Sequence, residues 1–250
     1  MAIPPTFPTN TLKYYMKHIP RIFVEAELLS DGLIKLSNEQ MNHINRVLRL
    51  KNGDEIRLFN EKYGEWSARI IDEKKNQLQC KENLIVPVAE KSKFPIVACS
   101  LINPSKFHFV LEKTTELGVS EIIPIISKYT QFRSFNFEKA QRVIIQACEQ
   151  SKRITIPRLH EPQSLKNFLD NYSYSSKLLV GVENFSGIKL KHSIKENHVF
   201  LIGPEGGFSE EEYSLFEIYT FVEKVSFGKN ILRSETAAVA FISAWVYEFL

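Results

Sequence analysis

Two glycine-bearing segments near the carboxyl end carry the residue types best suited to chemistry. Leu201–Glu212 reads LIGPEGGFSEEE, and Phe227–Leu232 reads FGKNIL with Arg233, Ser234, Glu235 and Thr236 directly behind it. Each follows a strand-like run, VFLI in one case and VEKVSF in the other. Glycine lets a ligand approach the main chain closely, and ligands of open α/β sheets sit beyond the carboxyl ends of the strands. Two such loops after adjacent strands predict a binding crevice lined by amides and carbonyls. The plain alternative is a pair of tight turns, and the crowding of Arg233, Ser234, Glu235 and Thr236 weighs against it.

The charges say which ligand suits that crevice. Glu205 lies inside the first loop, and Glu210, Glu211 and Glu212 fill the first turn of a helix whose expected N-cap is Ser209. Carboxylates there satisfy the helix dipole and repel phosphate. The chain contains no GxxxxGK[ST] for a nucleoside triphosphate and no GxG of a dinucleotide fingerprint. A neutral or cationic ligand held by main-chain groups fits better, and the sulfonium of S-adenosylmethionine is of that kind.

The elements that must position these loops follow from the hydrophobic pattern. From Pro95 onward the rhythm is strand then helix: PIVACSLI, SEIIPII, KLLVGV, HVFLIG and VEKVSFG are near-continuous apolar runs, with helical patterns at about 105–117, 137–152, 209–219 and 234–249 between or after them. Runs of that kind predict an α/β domain whose parallel sheet is covered on both faces. Residues 21–86 read differently, as short strands with partial alternation, IFVEAEL, GLIKL, EIRLF, EWSARII and QLQCKENLIV. One helix interrupts them. Ser37 and Gln40 form a capping-box pattern ahead of an apolar stripe of Met41, Ile44, Val47 and Leu48. The pattern describes a small barrel with one helix, a linker at 87–93, and a second domain at 94–250; residues 1–20, rich in Pro and Thr, read as a flexible extension in which Met16 offers an alternative start.

Composition excludes several classes. A chain of 250 residues with 44% hydrophobic content buries its own core. The three cysteines are scattered without a CxxC, and the six histidines form no HxH or HxxxH pair, so neither a disulfide framework nor a metal site is expected. This cysteine usage points to a reducing, cytoplasmic setting. No apolar run is long enough to span a bilayer. A formal net charge of +3 permits a nucleic-acid partner without requiring one.

Four segments, HINRVLRLKNGDEIRLF (43–59), KTTELGVSEIIPIIS (113–127), QACEQSKRITIPRL (146–159) and the pair LIGPEGGFSEEE with GKNILRSETAAVAF (228–241), resemble the RsmE family of the SPOUT superfamily, and they run in family order over nearly the whole chain from Arg21. The resemblance implies a PUA-like barrel ahead of an α/β domain threaded as a trefoil knot, a homodimer, and S-adenosylmethionine bent into the knot crevice. It also implies methylation of N3 of a uridine in the decoding region of small-subunit (16S) ribosomal RNA, within the small subunit, without metal or membrane. The family pattern departs at Asn230, where an arginine is usual, with Lys229 a candidate stand-in, and at Ala140, where a tryptophan is common.

The resemblance assigns Val180, Gly181, Leu201, Ile202, Gly203, Pro204, Gly206, Phe227, Gly228, Ile231 and Leu232 to the cofactor. Arg233 is expected beside the uracil, where a guanidinium would stabilise the N3 anion. The competing reading of Arg233 is an ion pair with Glu205 or Glu235 that braces the loops. Glu205 is expected to accept a proton or orient the cofactor, and Thr236 either to bond the base or to cap the last helix. Arg21, Arg46, Arg49 and Lys51 in the barrel and Lys152 and Arg153 beyond it are the RNA-contact candidates, with Arg46 and Arg49 one helical turn apart. Activity on another RNA, activity on a ribose hydroxyl, and a non-catalytic RNA-binding assembly factor are the alternatives.

Overall fold

The computed structural model describes residues 19–87, 95–183 and 194–249. The expected amino-terminal extension up to residue 18, including Met16, and nearly all of the expected linker lie outside them. The chain divides into two compact units: Met1–Phe59 with Glu65–Ile85, and Asn60–Gly64 with Val86–Leu250.

The first unit holds β1 (Arg21–Phe23), β2 (Leu33–Lys35), α1 (Asn38–Asn42), β3 (Glu55–Asn60), β4 (Gly64–Asp72) and β5 (Gln77–Ile85). The strands form one sheet in the order β1-β3-β4-β5-β2. Its core is made by alternate residues, Ile56 and Leu58 of β3, Ala68 and Ile70 of β4, and Leu78 and Cys80 of β5, all essentially inaccessible to water. The capping box forms as the sequence suggests: Gln40 N–H donates to Ser37 Oγ at 3.1 Å, and Ser37 N–H donates to Gln40 Oε1 at 3.0 Å.

The helix behind it departs from the expected stripe. After α1 the backbone widens into a π-helical turn, His43–Val47, closed by the Leu48 amide donating to the His43 carbonyl at 3.1 Å. The extra residue in the turn rotates the succeeding side chains about the helix axis. Met41 and Ile44 stay buried, but Val47 is 65% exposed. Arg49 lies past the helix end in the left-handed region, with φ 57°. Arg46 and Arg49 are both exposed, yet they do not share a helical face.

The second unit contains β6 (Ile96–Ser100), α2 (Pro104–Glu116), β7 (Glu121–Ile126), α3 (Phe137–Ser151), β8 (Arg158–Leu159), β9 (Gln163–Ser164), α4 (Leu165–Asp170), β10 (Leu178–Gly181), β11 (Val199–Ile202), α5 (Glu210–Ile218), β12 (Val222–Val225) and α6 (Ser234–Phe249). Its seven-stranded sheet runs β12-β10-β11-β6-β7-β8, with β9 also on β7, and every pairing is parallel. All residues of β6 and β11 are buried, as strands covered on both faces must be. On one face Ile96, Ala98, Val180 and Leu201 pack against Leu165, Phe168 and Leu169 of α4 and Phe208 and Phe216 beside or within α5. On the other, α6 crosses β6 and β11 and Phe241 lies 4.8 Å from Phe200.

One expectation fails here. β11 and β12, whose loops carry the glycines, are not adjacent, because β10 lies between them. Its end therefore supplies a third wall to whatever the loops enclose.

Candidate active site

The carboxyl ends of β10, β11 and β12 open into a cleft of about 290 Å³. Its walls come from the end of β10 (Gly181, Val182, Glu183), from the loop after β11 (Ile202, Gly203, Pro204, Gly206, Gly207, Phe208), and from Ser226 to Leu232 with Ser234 and Ala237 of α6. Nine of the residues expected at the cofactor, Gly181, Ile202, Gly203, Pro204, Gly206, Phe227, Gly228, Ile231 and Leu232, are thus brought together. Val180 and Leu201 are not on the wall. They are register partners one residue short of it, and their side chains belong to the core.

Two glycines show why the loops are bare. A Cβ on Gly181 would sit 3.0 Å from the Phe227 ring and 3.1 Å from Phe241, so a side chain there would have to displace two rings. Gly228 has φ 118°, a conformation that L side chains rarely adopt. Ser226 Oγ accepts from the Gly228 amide at 3.2 Å and holds this turn.

The acidic helix start is used up locally. Ser209 caps α5, and its own amide donates to Glu212 Oε2 at 2.8 Å. The second Glu212 oxygen accepts from the Lys128 amide at 2.8 Å. Lys128 Nζ donates to Glu211, which holds that carboxyl down at about 2. The helix dipole at α5 is therefore met by the chain's own carboxylates, and no phosphate cradle is built there.

Charged side chains in the cleft wall are Glu183 and Lys229. Tyr213 also lines it, its hydroxyl pushed up in pKa by burial and then by Glu183. Beneath lies Cys99, with its thiol pushed up to about 12 by burial and by Glu205 and Glu235, so it stays protonated. Glu235 Oε2 is buried without a hydrogen-bond partner among the described residues.

Arg233 is exposed at the cleft rim between two wall residues. Its guanidinium makes no ion pair among the described residues, and Glu205 pairs instead with Lys106 at 3.4 Å. The bracing role is therefore not what this side chain does. Its carbonyl accepts from Ala237 N–H at 2.8 Å, which makes Arg233 the first cap of α6. Thr236, an exposed residue one turn on, does not cap the helix.

The basic residues divide sharply. Arg21 is buried in its own unit: Nε donates to Glu65 Oε2 at 2.7 Å, and the guanidinium lies 4.1 Å over the Phe59 ring. It is withdrawn from the RNA-contact set because it has no surface to offer. Arg153 is also committed, donating to the Thr115 carbonyl at 3.0 Å and to Thr155 Oγ1 at 2.9 Å. Arg46, Arg49 and Lys152 are exposed, as is Lys51, which faces Glu73 at 3.8 Å. The sequence reading missed Val182, Glu183, Tyr213, Ser226 and Ala237 on the wall, and it did not assign to the ligand Gly207, Phe208 and Ser234, which lay within or beside the segments it had singled out. Gly207 stood beside a residue already chosen, whereas Tyr213 and Glu183 carried no local signal.

Comparison with known proteins decides the family. The model of an RNA methyltransferase domain matches residues 77–246, and that of an RNA methyltransferase PUA domain matches 36–83. The chain belongs to the RNA methyltransferase family. The ribosomal RNA small subunit methyltransferase E of Rickettsia conorii is 33% identical over 232 residues, 89% of this chain and 93% of that protein. Its counterpart from Synechocystis is 29% identical over 228 residues, 87% and 74% of the two chains. Two solved structures hold S-adenosylmethionine. The Neisseria gonorrhoeae methyltransferase E matches with TM-score 0.80 and 29% identity over 93% of this chain and 100% of that one. A Legionella pneumophila putative methyltransferase matches with TM-score 0.81 and 31% identity over 92% and 98%. The architecture is that of the SPOUT-type methyltransferases, with a PUA domain ahead of the α/β unit.

Proposed function

We propose that this chain methylates N3 of one uridine in small-subunit ribosomal RNA, using S-adenosylmethionine held in the cleft beyond β10, β11 and β12. The carrying observation is that cleft, bare-walled, closed to phosphate, and present in a family whose solved relatives bind this cofactor. The residues fit the group. Gly181 and Gly203 leave the wall as bare main chain, where a Cβ would run into the Phe227, Phe241 and Phe208 rings, Glu183 offers a carboxylate to a cation, and the volume is close to the lower end of the roughly 300–1000 Å³ of small-molecule sites.

When bound, the cofactor supplies an electrophilic methyl group on positively charged sulfur. The chain's share is positioning and electrostatics. Main-chain groups of Ile202, Gly203, Gly206, Phe227, Gly228, Ile231 and Leu232 hold the ligand, and the side chains of Ile231 and Leu232 cover its base. Arg233, without an ion pair among the described residues, stabilises the negative charge that develops on the uracil as N3 gives up its proton to Glu205 or to water. Glu205, tied to Lys106, orients the reactants, and Thr236 faces the same rim. Arg46, Arg49 and Lys51 in the 21–86 module and Lys152 in the 94–250 domain meet phosphates.

The knot, a homodimer through the apolar flank of α6, and a cytoplasmic setting complete the reading. Among the described residues, no helix is long and apolar enough to cross a membrane. Calorimetry with S-adenosylmethionine, followed by mass-spectrometric mapping of ribosomal RNA from cells with and without the gene, tests the whole. Cofactor heat and a 3-methyluridine that disappears with the gene are expected. No heat, or a mark on another atom or RNA, overturns it.

A further inference from the structure

The turn after β7 presents an aromatic ring in an unusual way. Ser127, Lys128, Tyr129 and Thr130 close on themselves: Thr130 N–H donates to the Ser127 carbonyl at 3.1 Å, and Ser127 N–H donates to Thr130 Oγ1 at 2.9 Å. Ser127 Oγ lies 3.0 Å from Thr130 Oγ1 and 3.2 Å from Ser100 Oγ at the end of β6. From the other side the Lys128 amide and ammonium are bound to Glu212 and Glu211 at the start of α5. Ser100, Ser127 and Thr130 are buried, while Tyr129 between them is 46% exposed.

The ring is thus wet but its backbone is fixed. It also stands against the cleft wall, since a Cβ on Gly206 would lie 3.1 Å from Tyr129 Cβ. Three residues along, Phe132 is 36% exposed, and Arg133 is exposed with no ion pair among the described residues.

Hydrophobic burial would put such a ring inside, and a mobile surface loop would not pin its turn from two sides. A nucleobase pulled from its stack loses its aromatic neighbours and gains by finding another. A platform already immobile loses little conformational freedom when it supplies one. Glu205 and Glu211 are offset by Lys106 and Lys128, and Glu210 is exposed, so recognition here falls to the π face of Tyr129 and to Arg133.

We infer that Tyr129 is a substrate-positioning residue, the stacking platform that receives the splayed target base at the mouth of the cleft, with Arg133 taking an adjoining phosphate. The inference rests on the RNA methylation proposed above.

Tyr129→Ala, Tyr129→Phe and Tyr129→Trp decide it, with methylation kinetics on the target RNA and calorimetry for S-adenosylmethionine. Tyr129→Ala raises KM for RNA on the order of tenfold to a hundredfold, the scale of one base–aromatic stack, and leaves cofactor affinity unchanged. Phe restores the parent value. The Trp variant restores it too, and its added fluorescence, measured against the parent with Trp66 and Trp245, is quenched by target RNA and not by RNA abasic at the target. A parent-like KM in Tyr129→Ala overturns the inference. So does cofactor affinity that falls in step with KM, or failure of Phe to restore function. Should the unsubstituted protein not methylate, the proposed activity falls, and quenching in the Trp variant still decides whether a base stacks there.

Discussion

Arg21 and Arg233 begin as the same side chain in similar company, each at the edge of a strand or loop with a glutamate in reach, and they end as opposites. Arg21 is 7% exposed, clamped by Glu65 and stacked on Phe59. Arg233 stands in solvent at the rim of the cleft, with its carbonyl rather than its guanidinium engaged. The difference is set by what surrounds each residue in space. The first lies on a strand whose neighbours bring an aromatic ring and a carboxylate from β3 and β4. The second lies where a loop passes into a helix, and one of its two acidic candidates, Glu205, has already been taken by Lys106. A guanidinium braces the fold when it is desolvated and paired, and it is available for chemistry when its competitors are otherwise engaged.

The comparison can be broken by substitution. Arg233→Ala lowers the methyl-transfer rate by about 100-fold or more, the scale of losing one preorganised charge at the reacting centre, and leaves calorimetric cofactor binding intact; near-parent turnover would return Arg233 to the structural class. Arg21→Ala removes one member of a buried pair, so chemical denaturation should show the first unit destabilised by about 3–5 kcal/mol. A loss near zero would mean that Arg21 is freer than its contacts indicate. Gly228→Ala carries a backbone strain of about 1–3 kcal/mol, read as a weaker calorimetric affinity for S-adenosylmethionine with the RNA salt dependence unmoved. The smallest change belongs to the exposed pair. Reversing Arg46 and Arg49 to glutamate should flatten the slope of log K against log salt by about 2, and an unchanged slope would show that these residues meet no phosphate.

Much of the fold could be read directly. β6 and β11 are buried at every position and apolar at all but Ser100, because both faces are covered. Ser37 with Gln40, and Ser209 ahead of three glutamates, marked two helix starts by side-chain chemistry that acts within one turn. The glycines of the two loops pointed to the cleft because a wall made of main chain must be bare.

What escaped was everything set at a distance. The placing of β10 between β11 and β12 follows from how crossovers pack, and no residue in either strand declares its neighbour. Glu183 and Tyr213 reach the cleft from elements chosen by that packing. The widened turn at His43–Val47 shifted Val47 to the surface because one hydrogen bond spans an extra residue, a change that apolar periodicity cannot register. The fate of Arg21 depended on Glu65, far along the chain.

The arrangement of β12 has a consequence for the life of the molecule. Among the described residues that strand pairs only with β10, and the segment after it supplies the final wall before running into α6. During synthesis, then, β6 to β11 and α5 leave the ribosome before the segment that completes the cleft wall. The cleft proposed for the cofactor is thus among the last features of the second unit to be completed.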